Sequence, residues 1–402
     1  MTTESAASET VPTSEPTRRT ADWYELFFDL VFVVVIAISA EILERDTSPG
    51  AVLGFLLLLF PLWWAWVNLM VTNNLFGARF ASIGALVIAA MPGPAAMAIA
   101  IAGGIAEQAW LYAAGAIWIR LVLLAMWLVS RARGASSAPL WRPFAYNLGT
   151  AVIWLVSLGI PPPWQYLVWT LAVAAEVLLL AVRSRFAYEI YERASVPHAL
   201  ERVGLFIVIV IGEAVYLAIT GLTEHPSIGG GAAALCGFLV CALLARTFFR
   251  WGLPTTEAGL SVAQRARSFG AMRDVIMYLP FFLVAGLTLV AASIGIAVRH
   301  PDAALPPGAR VLLACGVAVL FVVNAVIGVR LGRPVDGVIA LVVPGVLLPV
   351  LACLLSGALA AWATLGLVAV ALGLLELVNT KLGAGGARGP PRARGGPGRR
   401  QA

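Results

Sequence analysis

Tyr24-Glu25-Leu26-Phe27-Phe28-Asp29-Leu30-Val31-Phe32-Val33-Val34-Val35-Ile36-Ala37-Ile38-Ser39-Ala40 is the stretch on which the fold turns. From Leu30 to Ile38 every side chain is apolar, with no alternation of polar and apolar positions. A membrane β-strand would show that alternation in short segments. A helix that crosses hydrocarbon instead needs about 20 predominantly apolar residues. The run therefore reads as the first of a series of membrane-spanning helices, and residues 204–212 repeat the pattern. The composition agrees: 60% of the 402 residues are hydrophobic, 12% are charged, and the mean hydropathy is +0.91. Soluble domains run near 45–50% apolar and about 25% charged. A soluble enzyme, a nucleic-acid-binding domain and a disordered chain are excluded, so no nucleic-acid partner is expected.

Twelve spans are read along the chain, at approximately 24–43, 51–72, 80–101, 109–129, 144–160, 164–182, 202–222, 231–249, 275–298, 309–329, 335–355 and 357–378. Met91-Pro92-Gly93-Pro94, Pro280, Pro344 and Pro349 interrupt three of them. Such breaks are tolerated where other groups satisfy the freed backbone. The expected class is thus an all-α, polytopic integral membrane protein. Spans 1 and 7 start on the same side, which allows two parallel six-helix halves, 23–182 and 202–380, joined by a linker at 183–201. Residues 1–22, rich in Thr, Ser, Glu and Pro, read as a disordered tail. Residues 381–402, basic and rich in Gly and Pro, read as a second one. Thr255–Asp274 reads either as a surface helix laying Leu260, Val262, Phe269 and Met272 on the membrane or as a polar loop.

Arginine sets the orientation. The net charge of +6 includes 26 arginines and one lysine, Lys381, and with abundant Ala and Gly this points to a GC-rich bacterial genome. With the N-terminus inside, inner segments carry 23 arginines and lysines and outer ones carry 3, namely Arg45, Arg299 and Arg310. That asymmetry follows the positive-inside rule. It places both termini in the cytoplasm, in a bacterial inner membrane.

Ionisable groups in hydrocarbon are costly and usually functional. Glu25 and Asp29 share one face of span 1. Asp29 lies about 9 Å deeper than residue 23 at the helical rise. In span 7, His198, Glu201 and Arg202 fall at the inner boundary, and Glu213 lies about 16 Å beyond Arg202, near the midplane. Arg120 lies within span 4 and Glu176 within span 6. Glu41 and Glu376 fall near span ends. One cation among these acids suggests that Arg120 neutralises Glu213 or Asp29. Either these groups form a structural ion pair that fixes helix packing, or they line a proton or cation path. The candidates for ion handling are Asp29, Arg120, Glu176 and Glu213. Trp63-Trp64-Ala65-Trp66-Val67-Asn68 reads mainly as helix packing, with Asn68 available for an interhelical hydrogen bond.

Two stretches together resemble the bacterial low temperature requirement protein A (LtrA) family. One is Glu25-Leu-Phe-Phe28-Asp29-Leu-Val-Phe-Val33; the other is His198-x-x-Glu201-Arg202-x-Gly204-Leu-Phe206 followed by Gly212-Glu213. A third similarity is Trp63-Trp-x-Trp66 followed by Arg79. Where the family often carries an acid in the intervening loop, this chain has Asn73 and Asn74. The resemblance implies a polytopic bacterial inner-membrane protein and no settled biochemical activity. Asp29-Leu-Val-Phe-Val and Glu213-Ala-Val-Tyr-Leu share a short pattern, which would make the two acids counterparts facing each other across a central axis.

No Gly-x-x-x-x-Gly-Lys-Ser/Thr is present, which argues against an ATP-driven motor. The one lysine lies in the tail region, so no helix carries a retinal Schiff base. Neither the three histidines nor Cys236, Cys241, Cys315 and Cys353 have metal-site spacing, so no metal or other cofactor is expected. Three functions remain. The first is a transporter- or channel-like protein whose intramembrane carboxylates handle protons or cations. The second is an enzyme acting on a lipid-linked substrate with His198, Glu201 and Arg202. The third is a non-catalytic scaffold or sensor. The expected partners are membrane lipids and an ion or small-molecule substrate, with a homo-oligomer left open.

Overall fold

The computed structural model describes residues 22–77, 80–136, 139–181 and 193–386. It is all-helical, with no strand among these residues. We label the helices α1 (Trp23–Arg45), α2 (Pro49–Phe76), α3 (Ala81–Ala102, broken at Met91), α4 (Ala109–Ala132), α5 (141–157), α6 (Trp164–Ala181), α7 (Val196–Glu224), α8 (Ile228–Arg265), α9 (Phe269–Arg299), α10 (Pro307–Arg330), α11 (Val335–Leu355) and α12 (Ala361–Gly386). Ten are long and apolar enough to cross a membrane. The two short of that are α5 and α6. Helix α5 is assembled from Trp141–Pro143, a π-helical turn at Phe144–Leu148, and Gly149–Ser157. Helix α6 has its apolar part at Trp164–Leu180. The described residues thus contain ten such helices where twelve spans are expected.

Helix α9 is the centre of the fold. Within its most apolar stretch 94% of the residues are buried, as expected for a helix that is apolar all round. It packs on α1, α7, α8, α10 and α12. The closest crossing is with α10, where a Cβ on Gly286 would stand 3.0 Å from the Gly316 carbonyl oxygen. Small residues let two backbones meet in this way. Helices α3 and α4 meet similarly, with Gly93 against Gly115. On the outside, large apolar side chains such as Leu178, Ile219 and Leu354 are exposed. Trp23, Trp110, Trp141 and Trp164 stand exposed at the starts of α1, α4, α5 and α6. Tryptophan is enriched at both membrane–water boundaries, so these positions frame an apolar belt.

One expectation is corrected. Residues 255–274 form neither a helix lying on the membrane nor a polar loop. Residues 253–265 continue α8, and Phe269 opens α9 after a short turn. Leu260, Phe269 and Met272 are buried in the protein, and Val262 is exposed. The apolar face is used up by packing on neighbouring helices. Helix α12 runs to Gly386, six residues into the stretch read as a basic tail. Residues 1–21, Arg79, most of the expected linker (182–192) and residues 387–402 lie outside the described residues.

Candidate functional site

Helices α1 and α7 lie side by side and run parallel. Their first turns meet through Glu25 and His198, and their far ends share one cavity. Both elements start well. Asp22 precedes α1, and its backbone N–H donates to the Glu25 carboxylate at 3.0 Å. Pro197 sits in the first turn of α7, where its fixed φ suits a helix start and its missing N–H costs nothing.

The four-residue spacing of Glu25 and Asp29 on α1 matches that of His198 and Arg202 on α7, and the two pairs interlock in two layers. In the deeper layer Arg202 Nη2 donates to Asp29 Oδ1 at 2.6 Å and Nε donates to Oδ2 at 3.0 Å. Trp66 of α2 adds its indole N–H to Oδ1 at 2.7 Å. In the layer nearer the helix starts, Glu25 Oε1 receives the Asn73 amide, lies 3.2 Å from His198 Nε2, and lies 3.4 Å from Arg202 Nη1. Arg202 Nη2 also reaches the Glu25 carbonyl oxygen at 3.2 Å. Trp66 and Asn73 are seven apart on α2, which places them two turns apart on one face. Glu25 and Asp29 are fully buried, and Arg202 is 1% exposed. Phe28 lies below the guanidinium, with its ring centre 5.8 Å from Cζ. Phe206 packs on Trp66, which stacks on Trp63. The Trp63 indole N–H donates to the Met277 carbonyl in α9 at 2.8 Å.

A buried guanidinium is tolerable only when its donors are satisfied, and breaking such a pair leaves an uncompensated charge. A fork of N–H donors against both oxygens of a carboxylate is the geometry arginine supplies. The cluster ties α1, α2 and α7 together and, through Trp63, reaches α9. Arg202 and Glu25 are therefore both enclosed by protein. His198 is buried as well. Glu201 is half-exposed and makes none of these contacts. Of the remaining motif residues, Gly204 faces Phe249 and Leu253 of α8, and Gly212 is exposed next to Glu213.

Arg120 pairs with neither Glu213 nor Asp29. It binds Glu176 of α6, with Nε 2.6 Å from Oε1, and its Nη1 donates to the Ala116 carbonyl. Trp154 of α5 lies against it, 5.0 Å from Cζ to the ring centre. Glu376 of α12 accepts from Arg246 of α8 at 2.7 Å and from the Trp251 indole. Asp29 and Glu213 share no partner, so the expected face-to-face pair is absent among the described residues. Glu213 is half-buried, and its Oε1 is a buried oxygen with no hydrogen-bond partner among these residues. Its electrostatic neighbour is Glu41 of α1. Beyond it, a cavity of about 450 Å³ is lined by Glu41, Glu44, Tyr216, Thr220, Glu224 and Arg299. Positions 213, 216, 220 and 224 recur at three and four residues, so Glu213 and these lining residues share one face of α7. Arg299 joins Glu44 to Glu224 at the cavity's wall.

Trp66 and Asn73 are the functional-site residues that sequence reasoning missed. The signal present was a polar group every second turn on one face of an otherwise apolar helix. Asn74 is equally engaged, exchanging two hydrogen bonds with the Ser195 backbone. Asn68 accepts from Tyr146 of α5, an interhelical bond of the kind expected of it.

An uncharacterized protein of Rhizobium meliloti (strain 1021) is 24% identical over 297 residues, 70% of either chain. Residues 20–375 match the family described as "Bacterial low temperature requirement A protein (LtrA)". That match covers α1 through most of α12 and contains every residue of the α1–α2–α7 cluster, and on it the chain belongs to the LtrA family.

Proposed function

We propose that this protein is a transporter- or channel-like protein of the bacterial inner membrane in which Glu213 handles protons or cations. One observation carries the reading. Asp29 and Glu25 face Arg202, Glu176 faces Arg120, and Glu376 faces Arg246, whereas Glu213 keeps a buried oxygen without a partner among the described residues. A carboxylate in an apolar span is costly. Without a structural partner, its retention needs another cause, and titration or ion contact supplies one. The cavity on the same face of α7 offers the polar approach that such a group requires. Asp29, Arg120 and Glu176 then hold the frame, and the ion-handling role narrows to Glu213.

The reading includes cytoplasmic termini and twelve spans, with α5 and α6 as the short fifth and sixth. Taking buried Arg202 out of the tally leaves 22 inner basic residues against 3 outer ones, so the positive-inside bias still supports this orientation. Two six-helix halves are supported by repeated packing. Helix α1 packs on α2 and α3 as α7 packs on α8 and α9. The glycine crossing of α3 with α4 is matched by that of α9 with α10.

The test is flux through the purified protein in liposomes, with a pH-reporting dye inside and a panel of monovalent cations outside. Glu213→Gln abolishes the flux and leaves insertion intact. Full flux in Glu213→Gln overturns the mechanism. The enzyme reading has less support, because His198 is buried against Glu25 and Arg202 is buried against Glu25 and Asp29.

A further inference from the structure

A second cavity, of about 640 Å³, lies between the C-terminal part of α8 and the α10–α11 turn. Its size is that of a small-molecule site, about 300–1,000 Å³. Phe321, Ile327, Leu331 and Val342 give it an apolar floor, and Asn324 and Arg333 are among its polar lining. Helix α10 ends at Arg330 and α11 starts at Val335, so this turn is where the chain leaves the hydrocarbon and re-enters it. The groove therefore straddles the boundary between acyl chains and head groups.

Arg333 is held at its mouth by backbone geometry. Gly332 adopts φ 85°, and the Arg333 N–H turns back to the Gly328 carbonyl at 2.9 Å. The arginine stem then lies against Gly328, where an added Cβ would stand 3.1 Å from Arg333 Cδ. The neighbouring cations are neutralised, Arg246 by Glu376 and Arg330 by Asp274. Arg333 has no carboxylate at ion-pair distance among the described residues, and neither has Arg250, which lies over the ring of Trp251 on the groove wall. The Arg333 guanidinium above an apolar floor at a membrane boundary complements a phosphate attached to an acyl chain.

We propose that this groove binds an anionic phospholipid, with its phosphate at Arg333 and one acyl chain along α10 and α11. The full chain, purified in detergent, is offered phosphatidylglycerol, diacylglycerol or glycerol 3-phosphate, and retention is read by native mass spectrometry. A charge-assisted hydrogen bond of about 1.5–3 kcal/mol to the phosphate predicts about tenfold or greater preference for phosphatidylglycerol over diacylglycerol, which lacks it. Arg333→Gln removes that preference; the residue is exposed, so packing is untouched. Ala325→Phe fills the groove and lowers retention of both lipids. Equal retention of the two lipids by the unsubstituted protein overturns the proposal, as does unchanged phosphatidylglycerol binding in Ala325→Phe. Displacement of the lipid by glycerol 3-phosphate alone overturns it in favour of a soluble phosphate. A dimer that Ala325→Phe dissociates overturns it in favour of a second copy of the chain.

Discussion

Arg202 on α7 grips Asp29 on α1 through both carboxylate oxygens, at 2.6 and 3.0 Å, with neither side chain in contact with solvent. Each residue is 173 positions from the other, and the pair joins two parallel helices at their second turns. Removing one partner strands the other in a dry interior. Arg202→Met leaves two buried acids without their cation and is expected to cost about 3–5 kcal/mol. Asp29→Asn leaves Arg202 with Glu25 and is expected to cost less. Thermal unfolding in detergent checks the order; equal or negligible shifts contradict it.

Trp66→Phe tests the third helix of the same cluster. The substitution keeps most of the aromatic packing against Phe206 and Trp63 and removes only the indole N–H that Asp29 Oδ1 accepts. A hydrogen bond to a charged group contributes about 1.5–3 kcal/mol, so a lowered midpoint of that size is expected. In an Asp29→Asn background the effect of Trp66→Phe shrinks, and a double-mutant cycle measures the coupling. Strict additivity would show that the bond does not matter.

Arg120 and Glu176 form a separate unit that links α4 and α6. Either single change, Arg120→Met or Glu176→Leu, is expected to destabilise the protein by about 3–5 kcal/mol, while the double change recovers most of the loss. The recovery distinguishes a structural pair from an ion path. Flux should survive in the double variant, measured in the liposome assay.

Glu213→Gln should behave in the opposite way to Asp29→Asn. With no partner to lose among the described residues, the protein unfolds at an unchanged or higher temperature, within about 0.5 kcal/mol or more stable. A marked loss of stability would reveal a structural role for this carboxylate.

Gly316→Ala tests the crossing of α9 with α10. The new Cβ would stand 2.5 Å from the Gly286 carbonyl oxygen, closer than any ordinary contact, and that atom is backbone and cannot turn aside. Overpacking of this kind costs about 1–3 kcal/mol. Gly373→Ala, with open space at its Cβ, serves as the control and should leave the unfolding midpoint in place.

Much of the architecture was legible in the sequence, because a bilayer imposes a length and a polarity on each segment. The apolar runs beginning at Leu30 and Gly204 could only be helices. The short elements α5 and α6 were harder to bound, since a π-helical turn and a run under 18 apolar residues leave span length ambiguous. Residues 260, 269 and 272 carried an apolar face that fits a membrane surface and a protein interior equally well; periodicity says that a face is apolar and not what covers it.

The candidate site divides in the same way. The sequence by itself determined which charges lie in apolar surroundings and which of them share a helix face, as with Glu25 and Asp29 or His198 and Arg202. Those facts depend on spacing along one helix, and a helix has a fixed pitch. Only the tertiary structure decided the pairing: Asp29 with Arg202, Glu176 with Arg120, Trp66 and Asn73 as donors, and Glu213 with one oxygen left without a partner among the described residues. Partners on different helices are chosen by how those helices pack and by the cost of leaving any buried charge unpaired, and neither is written in the local pattern of a single span.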